Sequence, residues 1–193
     1  MLLDLVKQSR SFRGYDPSVS LPPETLRELV ECARLTPSSR NAQPLKYVAV
    51  LSPETVQKLL PLTHWAGRLP QLHLPHEGKG PAAFLVICLD SRIAENPAPF
   101  QRDVGIAAQT ILLAAVEKGF GGCMIGSFDA GKTAALLELP GYLSPQLVVA
   151  LGKPDEKIVL TQPGEDGDVG YYRDENDVHY VPKRPFDEIY LEK

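Results

Sequence analysis

The chain has 193 residues, of which 44% are hydrophobic and 23% charged, and its formal net charge at pH 7 is −4. This length and composition are typical of one folded domain with a substantial core, and we predict a single domain over residues 1–193. The negative charge argues against a general nucleic-acid-binding protein, which would carry a basic field. No apolar run approaches the roughly 20 residues of a membrane span, so no membrane partner is expected.

The start of the chain and its cysteines favour a cytoplasmic protein. The apolar opening MLLDLV contains Asp4 and lacks a small-residue cleavage site, so it is not predicted to be a secretory signal. Cys32, Cys88 and Cys123 are far apart, form no CxxC pair and lie among apolar residues. We therefore expect three buried free thiols in a reducing compartment.

Hydrophobic spacing predicts both helices and strands in the first half of the chain. Pro23 suits the first turn of a helix, and Ser52 followed by Pro53 is typical of a helix start. Prolines and glycines interrupt every regular pattern in residues 61–81. In chain order we expect helices over 2–8, 22–35 and 52–60, a strand over 45–51, and an irregular segment over 61–81.

The second half of the chain is dominated by two apolar segments. AAFLVICLD is apolar almost throughout, which is typical of a strand buried on both faces. The helix predicted over 103–118 is apolar around most of its circumference, so it should be central or lie at a subunit interface. In chain order we expect a strand over 84–89, a helix over 103–118, a strand and turn over 121–129, a helix over 130–139, a strand over 146–151, and a hairpin over 169–181. This mixture predicts an α+β fold.

The stretch GSFDAGKT matches the phosphate-binding-loop pattern G-x-x-x-x-G-K-[ST], so a nucleotide-hydrolysing protein is an alternative. Three features argue against it. Only one good buried strand follows Thr133, where such a fold needs several. The strand that could supply a magnesium-binding carboxylate ends at Asp90, before the loop. Asp129 would add negative charge where phosphates should bind. We expect the match to be accidental.

Three histidines cluster in the irregular segment. His64, His73 and His76 lie near one another in the chain, and Glu77 follows. Pro75 prevents a helix that would align His73 with His76, and no cysteine joins them, so we expect a surface loop or lid and no metal site. No serine–histidine–aspartate or cysteine–histidine arrangement stands out. If the protein is an enzyme, a bound cofactor is expected to carry the chemistry.

Two polar stretches suggest where a cofactor binds. SRSFRGYD places two arginines and two serines around one aromatic residue, and PSSRNAQP places hydroxyls and amides in a loop that ends a helix. Arginines are suited to phosphate, and short hydroxyls and amides can hydrogen-bond a flat heteroaromatic ring. Each stretch also has a simpler interpretation, as a solvated charged surface and as an ordinary helix-ending loop.

Four stretches taken together resemble the nitroreductase family of flavoproteins. SRSFRGYD resembles the family's opening signature RRSxRxF, and ARLTPSSRNAQPLKYVAV resembles its second signature. FQRDVGIAAQTILLAAVEKGFGGCMIGSFD is similar to the long central helix and the turn beside the flavin, and VPKRPFDEIYLEK is similar to the basic C-terminal segment. The match covers nearly the whole chain in the right order. Ser9 departs from it, because the family usually has an arginine there.

The resemblance assigns three groups of residues to an FMN cofactor. The phosphate and ribityl chain would contact Arg10, Ser11, Arg13, Lys183 and Arg184. The loop that would reach the flavin across a dimer interface contains Pro37, Ser38, Ser39, Asn41 and Gln43. The turn that would pass beside the isoalloxazine ring contains Ile125, Gly126 and Ser127.

The resemblance also implies an architecture and an activity. The fold would be nitroreductase-like, with a central mixed or antiparallel sheet flanked by helices, in an intertwined homodimer with a C-terminal extension. NADH or NADPH would give a hydride to flavin N5, and a nitroaromatic, quinone or activated alkene would then take the same face, giving ping-pong kinetics. No side chain is predicted to act as a catalytic acid or base. A flavin-binding sensor or carrier without turnover is the second alternative, and residues 61–81 are expected to gate the substrate.

Overall fold

The computed structural model describes all residues, 1–193, and contains six α-helices and seven strands. The helices are α1 (Leu2–Gln8), α2 (Pro23–Arg34), α3 (Pro53–Leu59), α4 (Gln101–Glu117), α5 (Ala130–Leu136) and α6 (Phe186–Ile189). The strands are β1 (Leu45–Val50), β2 (Ala83–Asp90), β3 (Gly121–Ile125), β4 (Leu143–Gly152), β5 (Ile158–Thr161), β6 (Tyr172–Arg173) and β7 (His179–Pro182). All the predicted elements are present. The structure also contains β5 and α6, which the hydrophobic pattern does not predict.

A four-stranded sheet lies at the centre, in the order β1-β2-β4-β3, and every pair in it is antiparallel. The register between β2 and β4 shifts between Ile87 and Cys88, where β4 places Pro145 opposite Cys88. Proline cannot donate to a strand ladder, so an irregularity is expected at this position. The predicted α+β fold with helices around an antiparallel sheet is confirmed.

Both faces of the central sheet are covered by helices. Side chains alternate along β2, so Leu85 and Ile87 pack against α2 and α4, while Phe84, Val86 and Cys88 lie in the second core with α3. All residues of β2 are buried, which confirms the strand predicted to be covered on both sides. The result is a layered structure of helices, sheet and helices.

The long helix α4 has one covered face and one open face. The predicted stripe is confirmed as core, with Val104, Ala108, Ile111, Leu112 and Ala115 all buried. On the other side of the helix, Ile106 is 40% exposed. One chain therefore covers only part of this apolar helix.

A second, three-stranded sheet is formed by the C-terminal part of the chain, in the order β5-β7-β6. β6 and β7 form the predicted hairpin, in which Arg173 lies opposite His179 and Tyr172 stacks on Tyr180 with ring centroids 4.9 Å apart. β5 pairs with β7 in parallel, and Lys183 continues this ladder by donating its N–H to Thr161 O at 2.9 Å. This sheet brings the end of the chain back towards its start.

Two local expectations need correction. Cys88 and Cys123 are buried as predicted, and burial raises the pKa of the Cys88 thiol to about 12, but Cys32 on the outer side of α2 is only half-buried. Ser52 occupies the N-cap position of α3, yet its side chain makes no capping hydrogen bond. Pro53 at the first helical position, with its preset backbone angle, is therefore the local feature that starts this helix.

None of the helices is both long enough and apolar enough to cross a membrane.

Candidate functional site

The segment that follows α1 runs beside the edge strand β3. Ser11 forms a parallel bridge with Gly122, and Phe12 N donates to Gly122 O at 3.1 Å. A Cβ on Gly121 would lie 2.6 Å from the Phe12 ring, so this close approach requires glycine. The buried Tyr15 donates its hydroxyl to Phe12 O at 2.8 Å. These contacts fix the backbone that carries the first predicted cofactor group.

A cavity of about 350 Å³ lies between this segment, α4, β3 and the C-terminal sheet, and we call it the basic cavity. Three of its lining residues are cationic, namely Arg10, Arg13 and Lys183. The remaining lining residues are Ser9, Ser11, Gln109, Leu112, Met124, Ile158, Tyr171, His179 and Val181. The fold therefore brings together residues from both ends of the chain, which the resemblance to the family assigns to a phosphate.

Arg10 has unused hydrogen-bonding capacity in the basic cavity. Its Nη2 donates to Val6 O at 2.6 Å, at the C-terminal end of α1, but its Nε is buried and has no hydrogen-bond partner. Burial lowers the pKa of the guanidinium, which nevertheless stays charged near neutral pH. A buried charged donor without an acceptor is costly, and an anionic ligand would satisfy it. The donor set of this cavity fits a phosphate.

Arg13 is held by residues from the C-terminal part of the chain. Its backbone N–H donates to Glu156, and its guanidinium lies over the Tyr171 ring, 5.1 Å from the centroid. Its Nη1 donates to Ser11 O at 3.1 Å and also lies 3.2 Å from His179 Nε2. The position of Arg13 thus depends on β6, β7 and the chain around them.

His179 is a lining residue that the sequence analysis missed. His179, Val181 and Lys183 alternate along one side of β7 and its continuation, so all three face the basic cavity. Burial, together with the charges of Arg13 and Arg173, lowers the pKa of the imidazole to about 4. His179 is therefore neutral at pH 7. Because side chains alternate along a strand, the residues two and four positions before Lys183 share its side, and this spacing would have identified His179.

Arg184 does not join Lys183 in the basic cavity. Successive residues of an extended chain point to opposite sides, so Arg184 points away from Lys183. Its Nη1 pairs with Glu188 at 3.3 Å, and both side chains are exposed. Only Lys183 of the two lines this cavity, so the two cations that we expected together lie apart within one chain.

The loop over residues 37–43 is organised by Asp103, which was not predicted. Ser38 Oγ donates to Asp103 Oδ2 at 2.7 Å, and Ser39 N donates to the same oxygen at 3.0 Å. Gln43 N in turn donates to Ser38 Oγ at 3.0 Å. Asp103 is buried in the first turn of α4, where a carboxylate is favoured by the helix dipole. Asp103 is the one acidic residue in the first turn of an apolar helix, and this feature of the sequence could have identified it.

The same loop has an unusual backbone. Arg40, Asn41 and Gln43 all have left-handed φ angles, of 54°, 53° and 51°. Such angles are uncommon outside glycine and tend to cluster at functional sites. Pro37, Ser38 and Gln43 line a separate cavity of about 190 Å³, which shares no residue with the basic cavity. Within one chain, therefore, the loop over residues 37–43 does not line the cavity that contains Arg10, Arg13 and Lys183.

The predicted turn at the end of β3 is only partly available to a ligand. Ile125 is buried in the core, so it can offer backbone atoms alone. Met124 faces the basic cavity instead, because side chains alternate along a strand. Gly126 and Ser127 are exposed, and a Cβ on Gly126 would meet no atom within 4 Å. This turn is an open surface beside the basic cavity.

The stretch GSFDAGKT does not form a phosphate-binding loop. Asp129 N donates to Leu62 O at 2.9 Å, so this amide is not free for a ligand. The Asp129 carboxylate caps α5 by accepting from Lys132 N at 2.9 Å, and it also pairs with Lys132 Nζ at 2.9 Å. The preceding strand, β3, is the edge of an antiparallel sheet. The loop is an ordinary helix start.

We expect Lys132→Ala to leave FMN binding and thermal stability unchanged, because the Lys132 side chain is 74% exposed and its ion pair is a surface pair. The matched change Asp129→Ala should lower the melting temperature, because it removes the cap of α5. Thermal unfolding and FMN titration of both variants would measure this. Loss of ligand binding in Lys132→Ala alone would show that the loop has a binding role.

The irregular segment over residues 61–81 is tied to the C-terminal part of the chain. Arg68 N donates to the Tyr171 hydroxyl at 3.2 Å, and His76 Nε2 lies 3.2 Å from Asp177 Oδ2. Lys79 pairs with Asp155. No group of three or more histidine, cysteine, aspartate or glutamate side chains lies close enough to hold a metal ion. The segment contacts Tyr171, which lines the basic cavity. Its role in gating the substrate stays a prediction.

Comparison with known proteins agrees with this architecture. The model of the nitroreductase family matches residues 6–153. A protein of Methanothermobacter thermautotrophicus, provisionally named NADH dehydrogenase/NAD(P)H nitroreductase, is 28% identical over 159 residues, covering 80% of this chain and 78% of the relative. Residues 154–193, which include His179 and Lys183, lie outside the family match.

Two solved structures are similar to this fold, one over the whole chain and one over most of it. A nitroreductase family protein of Streptococcus pneumoniae TIGR4 superposes with a TM-score of 0.71 over 100% of both chains, at 21% identity. The NADPH:FMN oxidoreductase of Vibrio harveyi, solved with NAD⁺, superposes with a TM-score of 0.64 at 26% identity, over 80% of this chain and 69% of that one. The first likeness shows the fold, and the family match covers most of the chain. The chain belongs to the nitroreductase family.

Proposed function

We propose that the protein is an FMN-dependent oxidoreductase that uses NADH or NADPH to reduce electron-poor acceptors such as nitroaromatics, quinones or activated alkenes. The observation that carries the proposal is the meeting of Arg10, Arg13 and Lys183 in one cavity. The names of the relatives from Methanothermobacter and Vibrio harveyi support NAD(P)H and FMN as the reactants.

The basic cavity suits the phosphate end of FMN. The phosphomonoester carries about −1.5 to −2 charges at pH 7, and the cavity supplies three cations. The buried Arg10 Nε, which lacks a partner, would gain an acceptor. The cavity volume of about 350 Å³ falls in the range of roughly 300–1,000 Å³ that is typical of ligand pockets. These features distinguish the cavity from an ordinary charged surface.

The residues of the chain would bind and orient the cofactor. When bound, FMN supplies hydride acceptance from NAD(P)H and electron delivery to the acceptor. Arg10, Arg13 and Lys183 would hold the phosphate end, while Leu112 and Met124 give the cavity an apolar wall. The loop over residues 37–43 offers hydroxyl and amide groups in a conformation held by Asp103. No acid or base from the chain is required.

A second copy of the chain would complete the site. α1 buries none of its residues, and Leu2 is 67% exposed. At the other end of the chain, Phe186 and Leu191 are also largely exposed, and Ile106 is exposed on α4. Exposed apolar side chains such as these would be covered in an interface between subunits. A homodimer would cover it and could bring the loop over residues 37–43 to the FMN of the partner.

We expect Ile106→Glu to weaken both dimerisation and FMN binding without unfolding the chain, because Ile106 lies on the open face of α4. Ala108→Glu is the matched control: Ala108 is fully buried in the core, so this charge should prevent folding. Circular dichroism would show which variant folds, and sedimentation of the FMN-loaded Ile106→Glu protein across a dilution series would measure its dimerisation. An Ile106→Glu protein that stays dimeric and binds FMN like the wild type would contradict the interface.

The proposed function is tested by FMN titration of the apoprotein and by NAD(P)H oxidation with an added quinone. FMN uptake followed by quinone-dependent oxidation of either nicotinamide supports the reductase. FMN uptake without oxidation would favour the sensor or carrier. Absence of FMN uptake would overturn both.

A further inference from the structure

A buried histidine meets an arginine inside the basic cavity. His179 is 1% exposed, and its Nε2 lies 3.2 Å from Arg13 Nη1. On the other side of the ring, Arg173 Nε donates to His179 Nδ1 at 3.3 Å. Arginine has only donors, so the two ring nitrogens face donors on both sides. A neutral imidazole has one acceptor nitrogen and can satisfy only one of them.

The surroundings of Arg173 decide which nitrogen carries the proton. The Arg173 side chain is 2% exposed; its Nη1 donates to Asp177 Oδ1 at 2.7 Å, and its Nη2 pairs with Glu156. Arg173 Nε carries a single hydrogen, which it donates to Nδ1 of His179 at 3.3 Å. With Nδ1 accepting this bond, the hydrogen of the neutral ring is assigned to Nε2. This N–H then faces Arg13 Nη1, which is also a donor.

We propose that His179 Nε2–H and Arg13 Nη1 are paired donors to one oxygen of a phosphate group in the basic cavity. The inference rests on the proposed FMN site and adds a neutral binding residue to it. An anionic oxygen between two facing donors would accept from both and remove their conflict. The C-terminal sheet then contributes to phosphate recognition through His179 as well as through Lys183.

The geometry around the pair favours this role over simple core packing. The guanidinium of Arg13 lies over Tyr171, and the Tyr171 and His179 rings lie 5.3 Å apart, so both donors are held in place. His179 and Arg13 both line the basic cavity together with Lys183. The two facing groups therefore lie at the wall of a cavity that also contains a third basic side chain.

Two substitutions separate binding from structure. His179→Asn keeps an acceptor at the position of Nδ1 for Arg173 but removes the donor at Nε2. His179→Gln keeps a donor near Nε2 but removes the acceptor. His179→Asn should lower FMN affinity roughly 10- to 100-fold, the value of one hydrogen bond to a charged group. His179→Gln should bind FMN more tightly than His179→Asn, although it should unfold at a lower urea concentration.

Riboflavin is the control ligand, because it lacks the phosphate. Its affinity should be nearly equal in the wild type and in His179→Asn. A purely structural His179 predicts the opposite pattern: FMN and riboflavin affinities would fall together, and more in His179→Gln. Equal FMN affinity in the wild type and in His179→Asn would overturn the inference.

A measurement on the wild-type protein tests the inference without a substitution that could affect folding and without FMN. Nitrogen NMR of the histidine-labelled apoprotein at pH 7 should show His179 with its hydrogen on Nε2, and inorganic phosphate should shift that signal. A hydrogen on Nδ1, or no shift at saturating phosphate, would refute the paired donors. If the wild type binds phosphate in this way but does not bind FMN, the proposed function fails and the anion site stands.

Discussion

Replacing Glu156 with alanine is expected to lower the free energy of unfolding by about 3–5 kcal/mol, the usual cost of removing one partner from a buried ion pair. The side chains of Glu156 and Arg173 are 4% and 2% exposed, and they pair directly. Without Glu156, Arg173 keeps only the half-exposed Asp177 as a charged partner, and Arg13 N loses its acceptor. The loss should therefore loosen both the C-terminal sheet and the wall of the basic cavity.

Urea unfolding of the variant measures this change, since the midpoint falls with stability when the slope is constant. Glu156→Gln should be less damaging, because an amide oxygen can still accept a hydrogen bond. Glu31→Ala removes an exposed pair with Arg34 and should have little effect. If Glu156→Ala were as mild as Glu31→Ala, the C-terminal sheet would not depend on the buried pair.

Arg10→Ala should lower FMN affinity roughly 10- to 100-fold and leave riboflavin affinity nearly unchanged. The reason is that Arg10 lines the basic cavity and its buried Nε has no hydrogen-bond partner, so an anion bound there would be stabilised by this guanidinium. The variant also loses the contact with Val6 O, so α1 should fray. The ratio of FMN to riboflavin affinity removes this structural contribution, because both ligands depend equally on the fold.

The neighbouring cations Lys183 and Arg184 provide a matched pair for the same titration. Lys183→Met should weaken FMN binding roughly tenfold, because its ammonium lines the cavity. Arg184→Met should have little effect on FMN binding, because Arg184 points away from the basic cavity and pairs with Glu188. A larger loss in Arg184→Met than in Lys183→Met would place the phosphate elsewhere.

The layers of the fold could be predicted from the hydrophobic pattern. β2 is apolar at nearly every position, which predicts that both of its faces are buried. The row of apolar residues along one side of α4 predicts the face of that helix that packs on the sheet. The hairpin of β6 and β7 followed from alternation around a turn. These features are local, because each depends on residues a few positions apart.

The parts of the site that depend on contacts between distant residues could not be predicted in the same way. Asp103 organises the loop over residues 37–43 from the start of α4, more than 60 positions away. His179 reaches Arg13 from the other end of the chain. The sequence alone also gave no reason to separate Lys183 from Arg184. That distinction follows from the ladder between β5 and β7, and β5 itself was not predicted.

The most direct test of an FMN-dependent reductase is anaerobic addition of NADH or NADPH to the FMN-loaded protein, followed through the visible absorption of the oxidised flavin. We predict that at least one nicotinamide bleaches this band much faster than it bleaches free FMN, and that a quinone added afterwards restores it. A band that persists with both nicotinamides, in a protein that has bound FMN, would contradict the proposed activity.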